Sequence, residues 1–362
     1  MKFKSLLNGI KTYEAGKPME LLVREYGIKP GDIIKLASNE NPYGTSPAVI
    51  KSLNRSIDKV SMYPDDSAYE LKSALASHFD MLSENIIIGA GSDQIIEFVI
   101  NSICDTNSKI LMAKTTFAMY EIYGRLSGAT ILKTQSHEHN IDDFKDIYKK
   151  HKPNIIFLCL PNNPLGECLN TDEVYAFLDS IDKNTLVVID GAYQEYARYK
   201  DPSKVIDPKD ITTKYSNTIC LGTFSKVYGL GGLRVGYGIS NRNTIATLHK
   251  LRPPFNITTL SLQGAIEALK DQKFVHDTVE KNFEQMIRYE EFADKKGLKY
   301  IDSYTNFIFI YMETNSKELC EKLLKKGLIV RDMTSYGLNA IRITIGTKKQ
   351  NDTVLEVLDK LC

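Results

Sequence analysis

Short runs of consecutive apolar residues alternate along this chain with stretches in which apolar side chains return every three to four positions. Residues 85–88, 110–112, 155–160, 186–189 and 218–221 have the first pattern and read as strands buried on both faces; 94–103, 120–127 and 172–180 have the second and read as helices between them. An earlier helix is marked by Leu71, Ala74, Leu75 and Phe79, with Asp65 and Asp66 placed to complement its N-terminus. Buried strands alternating with helices predict an α/β fold, a mostly parallel sheet covered by helices on both faces. Residues 1–35 read as an arm and a first helix, closed by Lys29-Pro30-Gly31-Asp32 ahead of a strand at 33–36. After Arg252-Pro253-Pro254 the texture changes. Helices at 259–270, 275–296, 317–326 and 352–361 interleave with strands at 306–312, 328–331 and 340–345. The expected organisation is therefore an arm (1–35), a large domain (36–252) and a smaller α+β domain (253–362).

In such a sheet, ligand chemistry belongs at the carboxyl ends of the strands, and the polar motifs fall there. ASNENPYG, residues 37–44, follows the first strand. Gly89-Ala90-Gly91-Ser92-Asp93 follows the strand at 85–88 and opens a helix, the arrangement in which unpaired amides and close backbone approach suit an anion. It is not a dinucleotide fingerprint, because Gln94 stands where the third glycine belongs and no acidic residue follows at the required distance of ~20 residues. Further along come Leu160-Pro-Asn-Asn163-Pro-Leu-Gly166, Asp190-Gly-Ala-Tyr193 and the stretch 218–238, TICLGTFSKVYGLGGLRVGYG. Within that stretch Lys226 sits just past a buried strand, beside a hydroxyl and among residues without Cβ atoms. This suits a covalent amine whose charge is set by its surroundings.

Composition narrows the partners. The 362 residues are 43% hydrophobic and 25% charged, enough for a sizeable core and two domains. Forty-six basic residues against 45 acidic ones give a formal charge of +1, so no bulk attraction to nucleic acid or to an anionic membrane is expected. The N-terminal apolar run is too short for a signal peptide, and no stretch reaches the ~18 apolar residues of a spanning helix, so a cytoplasmic location is expected. Cys104, Cys159, Cys168, Cys220, Cys320 and Cys362 show no CxxC spacing and read as reduced core thiols. His137-Glu-His139 is a local histidine pair in a polar loop without a third ligand, so no metal site is expected.

Together, Asn163, Asp190, Tyr193, Lys226 and Arg234 supply an amide, a carboxylate, a phenol, an amine and a guanidinium, the set that pyridoxal phosphate requires. With NPLG, DGAY, SKVYGLGGLRVG and a late arginine in order, the chain resembles the class I/II, fold-type I aminotransferases over essentially its whole length. Within that class ASNENPYG, YPDD, PNNPLGE, GTFSK and GLNAIRITIGT are most similar to the histidinol-phosphate aminotransferases. The resemblance implies that Lys226 carries pyridoxal 5'-phosphate covalently and moves a proton, and that Asp190 pairs with the ring nitrogen. Tyr193 and Asn163 would bond the ring's phenolic oxygen, and Phe117 would stack on its face. The phosphate would rest on the amides of Ser92 and Asp93, the Ser225 hydroxyl and Arg234, with Tyr63 reaching it from the partner subunit of a homodimer.

For substrates, the resemblance assigns Arg342 to the substrate anion and sets Arg331, Tyr13 and Asn39 nearby. It implies amino-group exchange between L-glutamate and imidazole-acetol phosphate, giving L-histidinol phosphate and 2-oxoglutarate. The alternatives are another phosphorylated or aromatic keto substrate, or decarboxylation of a phospho-amino acid. Three positions depart from the usual pattern: Gly191 where an acidic residue is common, Leu165 where threonine is common, and Thr115 where proline often stands. A ligand-sensing regulator of similar fold would need an appended DNA-binding module, which the short arm and balanced charge disfavour.

Overall fold

In the computed structural model, which describes residues 1–362 except 2, 4, 11–18 and the side chain of Leu21, the strands fall into three sheets. In chain order they are β1 (Ile34–Lys35), β2 (Ile86–Gly89), β3 (Lys109–Met112), β4 (Thr130–Lys133), β5 (Ile155–Cys159), β6 (Leu186–Asp190), β7 (Thr218–Thr223) and β8 (Gly236–Ser240). There follow β9 (Tyr300–Ile301), β10 (Phe307–Tyr311), β11 (Leu328–Ile329), β12 (Arg331–Asp332) and β13 (Ala340–Thr344). The expected α/β fold is present: seven strands form the central sheet in the order β2-β8-β7-β6-β5-β3-β4. Only β8 runs against its neighbours, β2 and β7. All positions of β5 and β7 are buried, which is why their sequences are unbroken apolar and β-branched runs.

Helices cover both faces. Ile95, Ile96 and Val99 of the helix Gly91–Ile103 pack with Phe157, Val188 and Ile219 on one face. On the other, Phe144, Val174 and Phe177 pack with Leu158, Val187 and Cys220. From β3 the chain steps outward to β4 and then returns to the far side of β3 for β5. That reversal leaves a crevice at the carboxyl ends of β3 and β5, where α/β sheets bind ligands.

The C-terminal sheet has the order β12-β13-β10-β9 and packs against the helices Gln272–Lys296 and Lys348–Leu361. The single strand expected at 328–331 is two: β11 pairs in parallel with β1, and β12 pairs antiparallel with β13. The β1–β11 pair, with a bond from Thr344 N–H to Leu36 O (2.8 Å), fastens the segment before residue 37 to this sheet. The helix expected from Gln94 begins at Gly91, and the last helix begins at Lys348, where Thr347 and Gln350 form a capping box.

Cys159, Cys168, Cys220 and Cys320 are buried as expected, whereas Cys362 is exposed. Among the described residues no helix is long and apolar enough to cross a membrane.

Candidate active site

Lys226 follows β7 and projects toward the end of β6, its Nζ 5.7 Å from the centre of the Tyr193 ring. Burial, and then the positive charges of Arg342 and Arg234, hold its pKa down at about 8, so far more of the amine is neutral near physiological pH than in an ordinary lysine. Asp190 closes β6 and is buried. Its Oδ2 accepts from the Tyr120 hydroxyl (2.7 Å) and its Oδ1 from the Ala192 N–H (3.1 Å). Burial raises the Asp190 pKa, and these two bonds oppose the rise. A carboxylate in this position gains from a positively charged ring nitrogen.

The start of the helix Gly91–Ile103 carries no side-chain cap. Gly91 has φ 77°, and a Cβ there would lie 2.6 Å from the Arg234 Nη2. A Cβ on Gly236 would lie 2.2 Å from the Ser92 nitrogen. Glycine at these two positions keeps a cradle open between the helix terminus and the guanidinium. Arg234 Nη1 donates to Ser225 Oγ (3.1 Å) and to the Gly231 carbonyl (3.1 Å), which aims the fork at the cradle. Asp93 enters with more than its amide. Its Oδ2 accepts from the Tyr123 hydroxyl (3.0 Å), its Oδ1 is buried without a partner, and burial raises its pKa. Gln94, the residue that excluded a dinucleotide motif, accepts from the Ala90 N–H (2.8 Å) and from Asn256 Nδ2 (2.8 Å).

Across the crevice, Arg342 Nη1 donates to Asn163 Oδ1 (2.6 Å) and Nη2 to the Ala37 carbonyl (2.8 Å). Its guanidinium lies 5.0 Å over the Phe307 ring. Asn39, with φ 56°, donates from Nδ2 to the Tyr193 hydroxyl (2.8 Å) and accepts at Oδ1 from Thr344 Oγ1 (3.1 Å). The Arg342–Asn163 bond and the Thr344–Asn39–Tyr193 chain of bonds thus form two links between β13 and the ends of central-sheet strands. Arg331 stands opposite Arg342 in the β12–β13 register. With Phe117, Arg331 lines a cavity of about 690 Å³ that Lys114, Lys133 and Tyr336 also border.

Tyr63 lies apart from this group. It is 82% exposed and stacks on Phe255 (4.6 Å between ring centres), beside an ion pair of Asp66 with Arg252 (2.6 Å). Tyr13 lies outside the described residues.

Several residues of the site were not legible in the sequence. Tyr120 looks like one more apolar position of its helix, but it supplies the Asp190 bond. Asn41 Nδ2 holds the Val227 carbonyl (2.7 Å), so the 37–44 loop fixes the backbone next to Lys226. Within the polar loop that carries His137 and His139, His139 is buried. Glu167 Oε1 accepts from the His139 N–H (3.0 Å) and from Asn162 Nδ2 (2.7 Å), and it meets His139 Nδ1 at 3.1 Å. His139 Nε2 accepts from the Cys159 N–H (3.3 Å), which places the ring proton on Nδ1. Asn162 Nδ2 also donates to the Thr115 carbonyl (3.0 Å), so this brace ties the Asn163 loop to the segment carrying Phe117.

The three departures from the family pattern each have a place. Leu165 is fully buried among Ile301, Phe309 and Met333 of the C-terminal region. Thr115 Oγ1 meets His137 Nδ1 at 2.7 Å. Gly191 lines a cavity beside the active site.

An amine of lowered pKa, a buried carboxylate without an ion pair among the described residues, and a helix start without a side-chain cap near Arg234 and Ser225 match the aldehyde, ring nitrogen and phosphate of one molecule. The residues fit pyridoxal phosphate, and with the fold they define a pyridoxal-phosphate-dependent enzyme of fold type I. The chain belongs to the aminotransferase class I and II family, whose sequence profile matches residues 31–358. It is 60% identical over 363 residues to a histidinol-phosphate aminotransferase of Aliarcobacter butzleri, covering 100% of this chain and 99% of the relative. It is 56% identical over 362 residues to the Wolinella succinogenes protein of the same name, covering 99% of each. The crystal structure of histidinol-phosphate aminotransferase from Sinorhizobium meliloti, solved in complex with pyridoxal-5'-phosphate, shares the fold. Its TM-score is 0.90 at 23% identity, over 100% of this chain and 98% of that one. The protein is a pyridoxal-phosphate-dependent transaminase.

Proposed function

We propose that the enzyme exchanges an amino group between L-glutamate and imidazole-acetol phosphate, giving L-histidinol phosphate and 2-oxoglutarate in histidine biosynthesis. The observation that carries this reading is the register of Arg331 with Arg342. Directly opposed residues of an antiparallel pair project to the same side, so the two guanidinium groups border one place suited to an anion. A glutamate carboxylate and an acceptor phosphate are the two anions that must use this place in turn. Relatives at 56 and 60% identity are named histidinol-phosphate aminotransferases, which supports histidinol phosphate as the aminated partner.

In this reading each residue has one task. Pyridoxal phosphate supplies an aldehyde for the amine and a conjugated ring that withdraws electrons from it. Lys226 would hold the cofactor through its Nζ and would take the proton from the substrate's α-carbon, for which a pKa near 8 suits it. Asp190, held by Tyr120, keeps a positive charge on the ring nitrogen. Burial pushes the Tyr193 phenol up, so it stays protonated and donates to the ring oxygen together with Asn163. Phe117 covers one ring face. The amides of Ser92 and Asp93, the Ser225 hydroxyl and Arg234 hold the phosphate.

Arg342 takes the substrate anion, with Arg331, Asn39 and Tyr13 beside it. The exposed Tyr63 ring fits a role in which it completes the partner's phosphate site in a homodimer. A cytoplasmic location accords with such a biosynthetic activity. A panel of keto acceptors with glutamate as donor tests the reading. Imidazole-acetol phosphate is expected to turn over fastest, and negligible turnover of it beside a fast rival would overturn the assignment.

A further inference from the structure

A second cavity, of about 390 Å³, lies beneath the helix Gln194–Lys200 and is lined also by β6, β7, β8 and the start of the helix Gln272–Lys296. None of the candidate active-site residues lines it, and its volume lies in the range of small-molecule sites, ~300–1,000 Å³. Its inner wall is apolar and aromatic, with Phe79, Tyr228, Tyr237, Val275 and Val279. Gly191 contributes to it as well, at the position where the family commonly carries an acidic side chain.

Two charges of opposite sign face this apolar space. Glu195 and Arg198 are one turn apart on the same helix and both line the cavity. They are within Coulombic reach, yet among the described residues neither takes part in an ion pair. Burial pushes the Glu195 carboxyl up to about 7, and a backbone hydrogen bond and the Arg198 charge only partly offset this. A half-buried carboxylate against apolar walls, without an ion pair among the described residues, is costly to keep charged, and a cation entering the pocket offsets that cost. Arg198 stands at the exposed rim, with His276 and Tyr199 beside it in edge-to-face contact (5.7 Å). The interior therefore offers a negative group, the rim a positive group, and the walls an apolar surface.

We propose that this cavity is a second ligand site, built for a zwitterionic α-amino acid with an aromatic or branched apolar side chain. The ammonium group meets Glu195, the carboxylate meets Arg198, and the side chain lies against Phe79, Tyr228 and Tyr237. An occupant would touch Gly191, between Asp190 and Tyr193, and Gln194, whose Nε2 holds the Leu160 carbonyl (2.9 Å) at the start of the Asn163 loop. The second site therefore abuts backbone on which the first depends.

Calorimetric titration of L-phenylalanine into borohydride-reduced holoenzyme tests this, because reduction prevents exchange of the amino acid at Lys226. Saturable binding of one molecule per chain is expected. Glu195→Gln and Arg198→Met should each weaken it by about tenfold or more, the worth of one charge-assisted hydrogen bond, while Arg342→Met leaves it intact. 2-Phenylethylamine and 3-phenylpropionate, each lacking one of the two charges, should bind more weakly by a similar factor. No saturable binding up to millimolar ligand, or binding that ignores both cavity variants, or binding abolished by Arg342→Met, overturns the proposal. Arg198 is exposed, so its variant keeps the test decisive should Glu195→Gln fail to fold.

Discussion

Arg331 and Arg342 face each other across the antiparallel pair β12–β13, two guanidinium groups directly opposed in register. Arg342 bonds Asn163, and its strand also carries Thr344, whose hydroxyl bonds the Asn39 side chain that reaches Tyr193, while Arg331 lines the neighbouring cavity with Phe117. The two cations should therefore contribute unequally. Arg342→Met is expected to lower kcat/KM for both substrates by about ten- to a hundredfold, from the loss of charge-assisted bonds worth ~1.5–3 kcal/mol. Arg331→Met is expected to raise KM for the phosphorylated acceptor more than for glutamate. Steady-state kinetics with each substrate varied in turn measures both, and equal effects of Arg331→Met on the two substrates would count against the shared anion locus.

Tyr120 donates to Asp190, and in the proposed arrangement it bears on the cofactor through that carboxylate. Removing its hydroxyl in Tyr120→Phe leaves the buried carboxylate with a single donor, the Ala192 amide. The carboxyl is then harder to keep ionised, and its hold on a positively charged ring nitrogen weakens. Expected are a fall in kcat of about tenfold and weaker retention of pyridoxal phosphate, in line with ~1.5–3 kcal/mol for a hydrogen bond to a charged group. Activity and cofactor dissociation measured together check this; unchanged values for both would show that the bond is incidental.

The depressed pKa of Lys226 makes a prediction with a definite sign. The neutral amine is the nucleophile, so reattachment of pyridoxal phosphate to the apoenzyme should accelerate as pH rises through about 8, far below the range of an ordinary lysine. Arg342 is the larger of the two cationic contributions, and removing a nearby positive charge favours the protonated amine. In Arg342→Met the midpoint should accordingly move up. Stopped-flow absorbance across a pH series reads both midpoints, and a downward or absent shift contradicts the electrostatic origin.

Glu167 bears on stability as well as on the site. Glu167→Ala strips acceptors from the His139 N–H and from Asn162 Nδ2, both in buried surroundings. Leaving such donors unmatched costs about 1–3 kcal/mol, which corresponds to a lower melting temperature by several degrees. Because Asn162 precedes Asn163 and is bonded to Thr115, KM should rise too. Thermal melting with parallel kinetics tests this, and a variant as stable and as active as the parent would refute the brace.

The order of strands and helices could be read from the chain because buried strands are continuous apolar runs and their partner helices are periodic. β4 and β8 were missed for opposite reasons. β4 is a short edge strand with mixed exposure, and β8, GYGIS, carries glycines that allow the sheet to pack closely against Ser92 and Ile95. The helix Ile141–His151 does have a legible start, since Asn140 accepts from the amides of Asp142 and Asp143. It was passed over because its polar face dominates the composition.

Within the site, Lys226, Asp190 and Arg234 were legible because their chemistry is unusual for a strand end or a glycine-rich turn. What was not legible depends on distant segments meeting. The partner of Tyr120 is 70 residues away, and that of the Asn39 side chain at Tyr193 is 154. The buried state of His139 likewise depends on Glu167, which reaches it from the loop after β5. Local pattern carries no information about such pairs; topology decides them.

The most direct test of the central claim, that Lys226 is the covalent amine around which these elements are arranged, is borohydride reduction of the holoenzyme followed by peptide mass mapping. The added mass of the reduced cofactor is expected on the peptide containing Lys226, and fragmentation should place it on that side chain. Label found on a different lysine, or no label on any lysine, would contradict the claim.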